Sequence, residues 1–582
     1  MNTIKSYQNY FTITIFLIFL GSATIIVKNT TLYPYGDGVE YILTTESLAN
    51  HFSPDLRVDD IEKYKSFHKK YKPELHKEEV YNDIKKLIED GSKPLENTHG
   101  FYKAENGKVY SYHFWLYSLT TVPTRLFLEY AHLDITYSFI ITNYLILLLV
   151  LLLVFTAKNI VYYNKIWLTL FITISPIFWY LHWPHPEAFT SLMVFASIVL
   201  FIDKRHYISI FLMSVACTHN PPLFIPILIM IFFSLKEKGI TIRNIVFVGL
   251  SSSIIILPSL FYYYHFSVPN LIVNSGFLSK DHITLKKLYS FFFDLNQGMV
   301  LGVNIVLILS FFIFIYRLLK KKTTFIDYMY ISVFLMAYFY LQMRNWSHGM
   351  SVINRYAVWN SVFIILFVVW SILNYNSKAK KFILLILLVA QSLSIYYFSN
   401  IKQIDWSSTS HNKIAMWFFD NYPELYNPEP HIFQVRTNKA NLSYTETVIV
   451  HNRPDSVITK MMIFNADYRA NYIEQLLLRG IKKENIDKFL SENEYYHEWI
   501  YINKSDLDKM GYNQAKDTLI PYLEGVSVGL MVEEAKQAIL SNPTYKKLIE
   551  EKAKQQDITF EQAMENDANY VVKLAKENAY KR

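Results

Sequence analysis

The residues whose types could do chemistry gather in four short polar stretches of an otherwise apolar chain. The first runs Tyr33-Pro-Tyr-Gly-Asp-Gly-Val-Glu-Tyr41. It sets one carboxylate, Asp37, between Gly36 and Gly38, and a second, Glu40, one helical turn on. A carboxylate in a cleft can take the proton of an attacking hydroxyl, and flanking glycines let a substrate come close to the backbone. The same spacing also describes a helix start, with Asp37 as N-cap and Glu40 at the third helical position. The second stretch is His182-Trp-Pro-His-Pro-Glu187. Glu187 there could orient an acceptor or share a metal with Asp37. By type, His182, His185 and Glu187 are also metal ligands, but the prolines break helical ligand spacing, so no metal ligand is assigned. An interfacial turn with snorkelling rings also explains this stretch. The third comprises Arg344-Asn-Trp-Ser-His348 and Asn354-Arg355-Tyr356. An arginine at the rim of a membrane cavity suits a phosphate, whose oxygens its fork meets in pairs. It equally suits lipid headgroups as an anchor. The fourth, Asp294-Leu-Asn-Gln-Gly298, is a polar turn open to the same two readings.

These stretches are embedded in 582 residues, 52% of them hydrophobic and run together in long blocks. That distribution marks an α-helical polytopic membrane protein. The net charge of +8 does not signal a nucleic-acid partner, because the basic residues sit in short loops between apolar blocks. The partner they imply is the lipid bilayer. Cys217 is the single cysteine, which excludes an internal disulfide and a thiolate cluster. Apart from a divalent cation, the residues call for no cofactor.

The first apolar block, 11–27, follows Lys5 and contains Gly21-Ser22-Ala23, so it has the parts of a cleavable signal peptide. The loop charges favour a retained helix instead. Ten further blocks lie at 135–156, 166–182, 187–202, 207–218, 222–235, 245–264, 299–316, 326–341, 356–373 and 382–398. With the N-terminus inside, the inner loops carry Lys158 and Lys165, Lys204 and Arg205, Lys236 and Arg243, Arg317 and Lys320, then Lys378 and Lys381. The turns at 182–186 and 219–221 carry no Lys or Arg. This is the positive-inside pattern, and it gives about 11 spans with the Asp37 loop and the C-terminus outside. Reading 207–235 as one span would invert every later loop. Residues 1–400 thus form the transmembrane domain, with 28–134 as a large first outer loop. The charged middle of that loop, 58–94, reads as solvated helix, and its aromatic end, 110–123, as interfacial. Residues 401–582 read as an extracytoplasmic region with short strands at 432–435 and 445–451, mostly helical after 464. Helices are expected there at 466–479, 483–492, 532–541, 544–556 and 559–576, the last opened by a Thr559/Gln562 capping box.

The order of these motifs resembles the GT-C superfamily of polytopic glycosyltransferases, near the protein O-mannosyltransferases and the lipid A aminoarabinose transferases. Gly36-Asp-Gly-Val-Glu-Tyr41 stands where many bacterial relatives carry Gly-Asp-Glu-Pro-His-Tyr. Tyr110-Ser-Tyr-His113 matches a segment that closes the first outer loop, and Pro186-Glu187 a pair that opens an outer turn. Phe293–Gly298 matches a Phe-Asp-x-x-x-Gly motif, and Trp346, Gly349 and Arg355-Tyr356 an Arg-Tyr pair after a Trp/Gly loop. The likeness spans roughly residues 10–435. One departure matters: the family's acidic pair is adjacent, whereas Gly38 holds the second position here. That leaves the second carboxylate's role to Glu40 or Glu187.

The resemblance implies a GT-C-like fold in a bacterial plasma membrane. It implies inverting transfer of a sugar from a polyprenyl-phosphate donor to a hydroxyl of a lipid, glycan or protein on the outer face. Asp37, with Glu40 and Glu187, would be catalytic. Arg355 or Arg344 would neutralise the leaving phosphate. Tyr356, His113, His185 and His348 would contact substrate, and an apolar cavity would hold the polyprenyl chain. A polysaccharide polymerase or ligase would share the topology. A transporter or flippase of lipid-linked sugars would instead favour inverted repeats and ionisable residues inside the spans. A scaffold displaying the C-terminal region would need no Asp37.

Overall fold

Backbone polar groups in an apolar setting must find partners within their own segment, and the apolar blocks accordingly fold as helices. The computed structural model describes residues 37–71, 78–90, 93–344, 346–347, 352–398, 410–438, 448–453, 457–464, 480–492, 499–512, 543–556 and 558–580, with a few single positions elsewhere. The first apolar block lies almost wholly outside the described residues. The chain divides into two units, 1–408 and 409–582.

Five helices of the first unit are long and apolar enough to cross a membrane: Ile135–Thr156, Ile242–Phe266, Val300–Leu319, Arg355–Leu373 and Lys380–Phe398. Glu187–Ile202, His206–Cys217 and Phe325–Tyr340 are apolar but shorter. The 207–235 block is two helices, His206–Cys217 and Phe224–Lys238, parted by a tight turn that runs into Pro221-Pro222. The 166–182 block differs from expectation. Its helix Tyr162–Thr173 stops at Ile174 (φ −99°, ψ 57°), two residues before Pro176, and a single turn follows at Ile177–Tyr180. A proline disfavours helical backbone in the residue before it, which fits a break there.

Arg355–Leu373 is the centre of this unit. Every residue from Ala357 to Val369 is buried, as suits a helix apolar all round. It packs on Tyr162–Thr173, Glu187–Ile202, Val300–Leu319 and Phe325–Tyr340. Glu187–Ile202 is nearly as enclosed. Ile242–Phe266 instead exposes Ile242, Leu250, Leu260 and Tyr264, an apolar face suited to lipid. The two most enclosed helices therefore lie side by side, and they begin at Arg355 and Glu187.

Ahead of the spans, Gly38–His51 is buried from Gly38 to Leu48. It is pinned to Leu116–Tyr130 by Arg125, whose Nε and Nη2 donate to the Glu46 carboxylate at 2.8 and 2.6 Å. Both side chains are buried; removing Arg125 would strand the Glu46 carboxylate at a cost of about 3–5 kcal/mol, whereas Arg125 also pairs with Glu129. Leu116–Tyr130 turns Leu119, Leu126, Phe127 and Tyr130 outward, which extends the expected amphipathic segment beyond 123. Before it comes a three-stranded antiparallel sheet, Asn97–Thr98, Phe101–Lys103 and Val109–Ser111. Its first hairpin turns at His99 and Gly100, both at positive φ (47° and 80°), as a tight two-residue turn requires. The charged middle of the loop forms Val58–Tyr71 and Glu78–Glu89, the second with Tyr81, Ile84 and Leu87 buried.

The second unit holds a three-stranded antiparallel sheet, in the order Val448–Asn452, Ile458–Phe464, Trp499–Asn503. The strand expected at 432–435 is instead part of the helix Pro430–Asn438. Pro430 opens that helix, where its fixed φ is already helical. Lys483–Glu492 covers the sheet through Ile486, Phe489 and Leu490. Pro543–Gln556 and Phe560–Tyr580 pack together around Ile549, Ala553, Ala563 and Ala568. The Thr559/Gln562 box is formed, each backbone N–H donating to the other side chain at 3.2 Å. Most of 466–479 and part of 532–541 lie outside the described residues.

Candidate active site

Asp37 occupies the N-cap position of Gly38–His51, but its side chain makes no capping bond. Its backbone is already helical (φ −59°, ψ −13°), and the carboxylate points away into the molecule. Oδ2 accepts from Arg355 Nη1 at 2.7 Å and lies 3.1 Å from His185 Nε2 and 3.8 Å from His113 Nε2. Oδ1 has no protein partner among the described residues. Burial raises the Asp37 carboxyl pKa, but Arg355 and the two histidines outweigh it and hold the group well below the usual range. Gly38 brings this helix start against the turn that carries His185: a Cβ there would sit 2.9 Å from Pro184 Cγ. The side chain of an adjacent second acid would therefore meet Pro184.

Each histidine is braced by its own carboxylate. Glu40 Oε2 lies 3.1 Å from His113 Nδ1 and accepts from Ser111 Oγ at 2.7 Å. Glu187 pairs with His185 Nδ1. Both acids are about 3% exposed, so their charge is spent on the histidines and not on water. Gly100 makes room for the first pair, since a Cβ at that positive-φ position would fall on the Glu40 carboxylate. Burial pushes Glu40 up to about 7 in spite of His113 and Ser111. Burial lowers the His185 pKa, but Glu187 and Asp37 more than offset it and leave it raised. Tyr41 wedges between the rings, stacked on His113 (5.2 Å between centroids, 27°) and edge-on to His185 (5.2 Å). Trp183 stacks on His185, with 4.1 Å between ring centroids.

Arg355 is placed by a chain of turns. Asn354 caps its helix by accepting from Tyr356 N at 2.9 Å. The Asn354 N–H donates to Gln297 O at 2.8 Å, and Gln297 Nε2 donates to Trp346 O at 2.6 Å. Asp294 in turn accepts from the backbone of Asn296 and Gln297. The Asp294–Gly298 stretch is thus a buried bracket for the loop that carries Arg355.

These groups form the polar floor of a cavity of about 420 Å³. Asp37, His113, His185, Glu187, Arg355 and Tyr356 line it. Its walls are apolar, with Phe224, Ile272, Val273, Phe277, Leu278 and Phe339 among them. Glu40 reaches the cavity only through His113. Arg344 does not line it; its backbone N–H donates to Phe277 O at 2.9 Å, beside the wall residue Met343. His182 lies apart, 3.3 Å from the Tyr144 hydroxyl. His348 lies outside the described residues. Sequence reasoning missed Tyr41, Ser111, Gly100 and Tyr112, and it took His219-Asn220 only as a turn; His219 and Asn220 also line the cavity. The Asp37 carboxylate and the His113 and His185 ring nitrogens lie within 4.8 Å of one another, close enough to share a metal ion. No family model, curated protein or solved structure matches the chain.

Proposed function

We propose that the chain is a membrane glycosyltransferase with a GT-C-like, eleven-span core. It moves a sugar from a polyprenyl-phosphate donor to a hydroxyl of a lipid, glycan or protein at the outer face of a bacterial plasma membrane. One observation carries this reading: an arginine-paired carboxylate, one of whose oxygens has no partner among the described residues, stands at the polar floor of an apolar-walled cavity. A donor made of sugar, phosphate and hydrocarbon calls for a cation for its phosphate and an apolar surface for its chain, and its acceptor for a carboxylate, all of which line this cavity. The donor phosphate draws the Arg355 fork away from Asp37, because two or three phosphate oxygens offer it more than one carboxylate oxygen. Losing the cation raises the Asp37 pKa toward its ordinary value and makes it a better base. The acceptor oxygen then attacks the anomeric carbon from the face opposite the phosphate. Its proton passes to Asp37 Oδ1, the carbon–phosphate-oxygen bond breaks, and the electron pair leaves on polyprenyl phosphate. Arg355 steadies the charge that develops there.

A transporter is less well supported. Arg355, Arg317, Lys380 and Lys381 stand at the ends of the long helices and do not line a path along them. The test is binding of polyprenyl phosphate to the detergent-purified chain. Arg355→Ala should weaken it about tenfold or more, as loss of a charge-assisted pair does, and Arg355→Lys should recover part of the loss. Unchanged binding by a well-folded Arg355→Ala chain would remove the phosphate from this site.

A further inference from the structure

We infer that Asp37, His113 and His185 form a site for one divalent cation of the zinc class at the floor of the cavity. The location is argued from the geometry alone; only the ion's role rests on the transferase reading. A tetrahedral ion with ligands near 2.1 Å sets its ligand atoms about 3.4 Å apart. The Asp37 Oδ2 distances to His185 Nε2 and His113 Nε2, 3.1 and 3.8 Å, bracket that value. The three ligands come from three separate parts of the chain, and each histidine turns Nε2 toward the same oxygen.

The layer behind the ligands argues in the same direction. A metal-binding histidine characteristically gives its other ring nitrogen to a carboxylate, which fixes the tautomer and makes the ligand nitrogen more basic. Here that occurs twice, through Glu40 on His113 Nδ1 and Glu187 on His185 Nδ1. A simple Asp37–Arg355 ion pair would need neither dyad. Three protein ligands leave a fourth position open toward the cavity, as in catalytic zinc sites. Imidazole nitrogens favour zinc and its neighbours over magnesium. The ligand set differs from His182, His185 and Glu187: His182 is turned away, and Glu187 braces instead of ligating.

Arg355 competes for this position, since its Nη1 contacts Asp37 Oδ2 at 2.7 Å and stands 3.3 Å from His185 Nε2. An ion held there would take the place at Asp37 Oδ2 that the guanidinium now holds, so Arg355 would have to turn away from it. The ion would supply a Lewis acid that holds an acceptor or phosphate oxygen.

The experiment uses the full chain in detergent, with any tag removed, stripped by chelator and titrated with Co²⁺. The expected result is saturable one-to-one binding with the visible ligand-field bands of a four-coordinate ion, reversed by Zn²⁺. Glu40→Gln, a change to a positioning residue, should weaken binding about 10–100-fold with little change in melting temperature. His113→Ala and His185→Ala should abolish it, His182→Ala should leave it intact, and Arg355→Ala should tighten it. The inference is overturned if the wild-type chain shows no saturable band, or if binding survives both histidine changes. Full sugar transfer by a chain that binds no cobalt would overturn the ion site and leave the transferase standing. A cobalt-loaded chain that transfers nothing would do the reverse.

Discussion

At the scale of single residues, burial decides how each ionisable group of the cavity behaves. His219 shows it most plainly. Its Nε2 accepts the Tyr117 N–H at 3.0 Å, and burial, with some help from His113 and His185, holds its pKa down to about 3. The unfolded chain protonates this histidine below about pH 6.5, and the folded chain does not. Its contribution to stability is therefore complete above about pH 6.5 and is lost as pH falls toward 3. Between pH 6.5 and 5 the loss is about 2 kcal/mol. His219→Gln keeps an acceptor for the Tyr117 N–H but carries no proton to gain. Its melting temperature relative to wild type should rise as pH drops from 7 to 5. A difference that stays constant over that range would mean that His219 is not held neutral by the fold.

At the scale of elements, the close approach of the Gly38–His51 helix to the 182–186 turn brings Asp37 and His185 together. Gly38→Ala adds a methyl 2.9 Å from a proline ring that has little freedom to yield. It should cost about 1–3 kcal/mol and lower turnover, whereas Gly249→Ala, in open space inside another helix, should leave turnover unchanged and melt no lower than wild type. Thermal melting and transfer assays on the two variants decide this; equal behaviour would mean the helix start is not registered by Pro184.

The helices were legible from sequence because long apolar runs have one stable outcome. Glu187–Ile202 is found over the residues expected, and Arg355–Leu373 begins one residue early. Local capping was legible too at Thr559 and Gln562. At Asp37 the same pattern misled about the side chain, because tertiary partners offered the carboxylate more than the helix start did. The strands Ile458–Phe464 and Trp499–Asn503 were not anticipated; the second finds its partner far back along the chain, and the first, though hairpinned to Val448–Asn452, is buried between both neighbours and lacks a clear polar alternation. The Glu40–His113–Ser111 contact was hidden for the same reason: it exists only once the first outer loop folds back through the hairpin at Gly100.

At the scale of the whole molecule, the proposed topology orders everything else. Cysteines placed at exposed Asn106 and at Ser410 should react with an impermeant reagent from outside, and one at exposed Lys321 should not. Cys217 is buried and gives little background. Labelling of Lys321→Cys with protection of Asn106→Cys would turn the eleven-span arrangement over.

The central claim, that Asp37 performs sugar transfer from a polyprenyl-phosphate donor, is tested most directly by mass spectrometry of envelope lipids and glycans. Cells with the wild-type chain, without it, and with Asp37→Asn should be compared at matched protein levels. The variant keeps size and shape but cannot accept a proton at neutral pH, so turnover should drop about 10²–10⁴-fold. The expected result is that Asp37→Asn cells match the deletion: donor lipid accumulates, and one class of acceptor lacks a sugar. A stable Asp37→Asn chain that restores the wild-type glycans would contradict the catalytic role of Asp37.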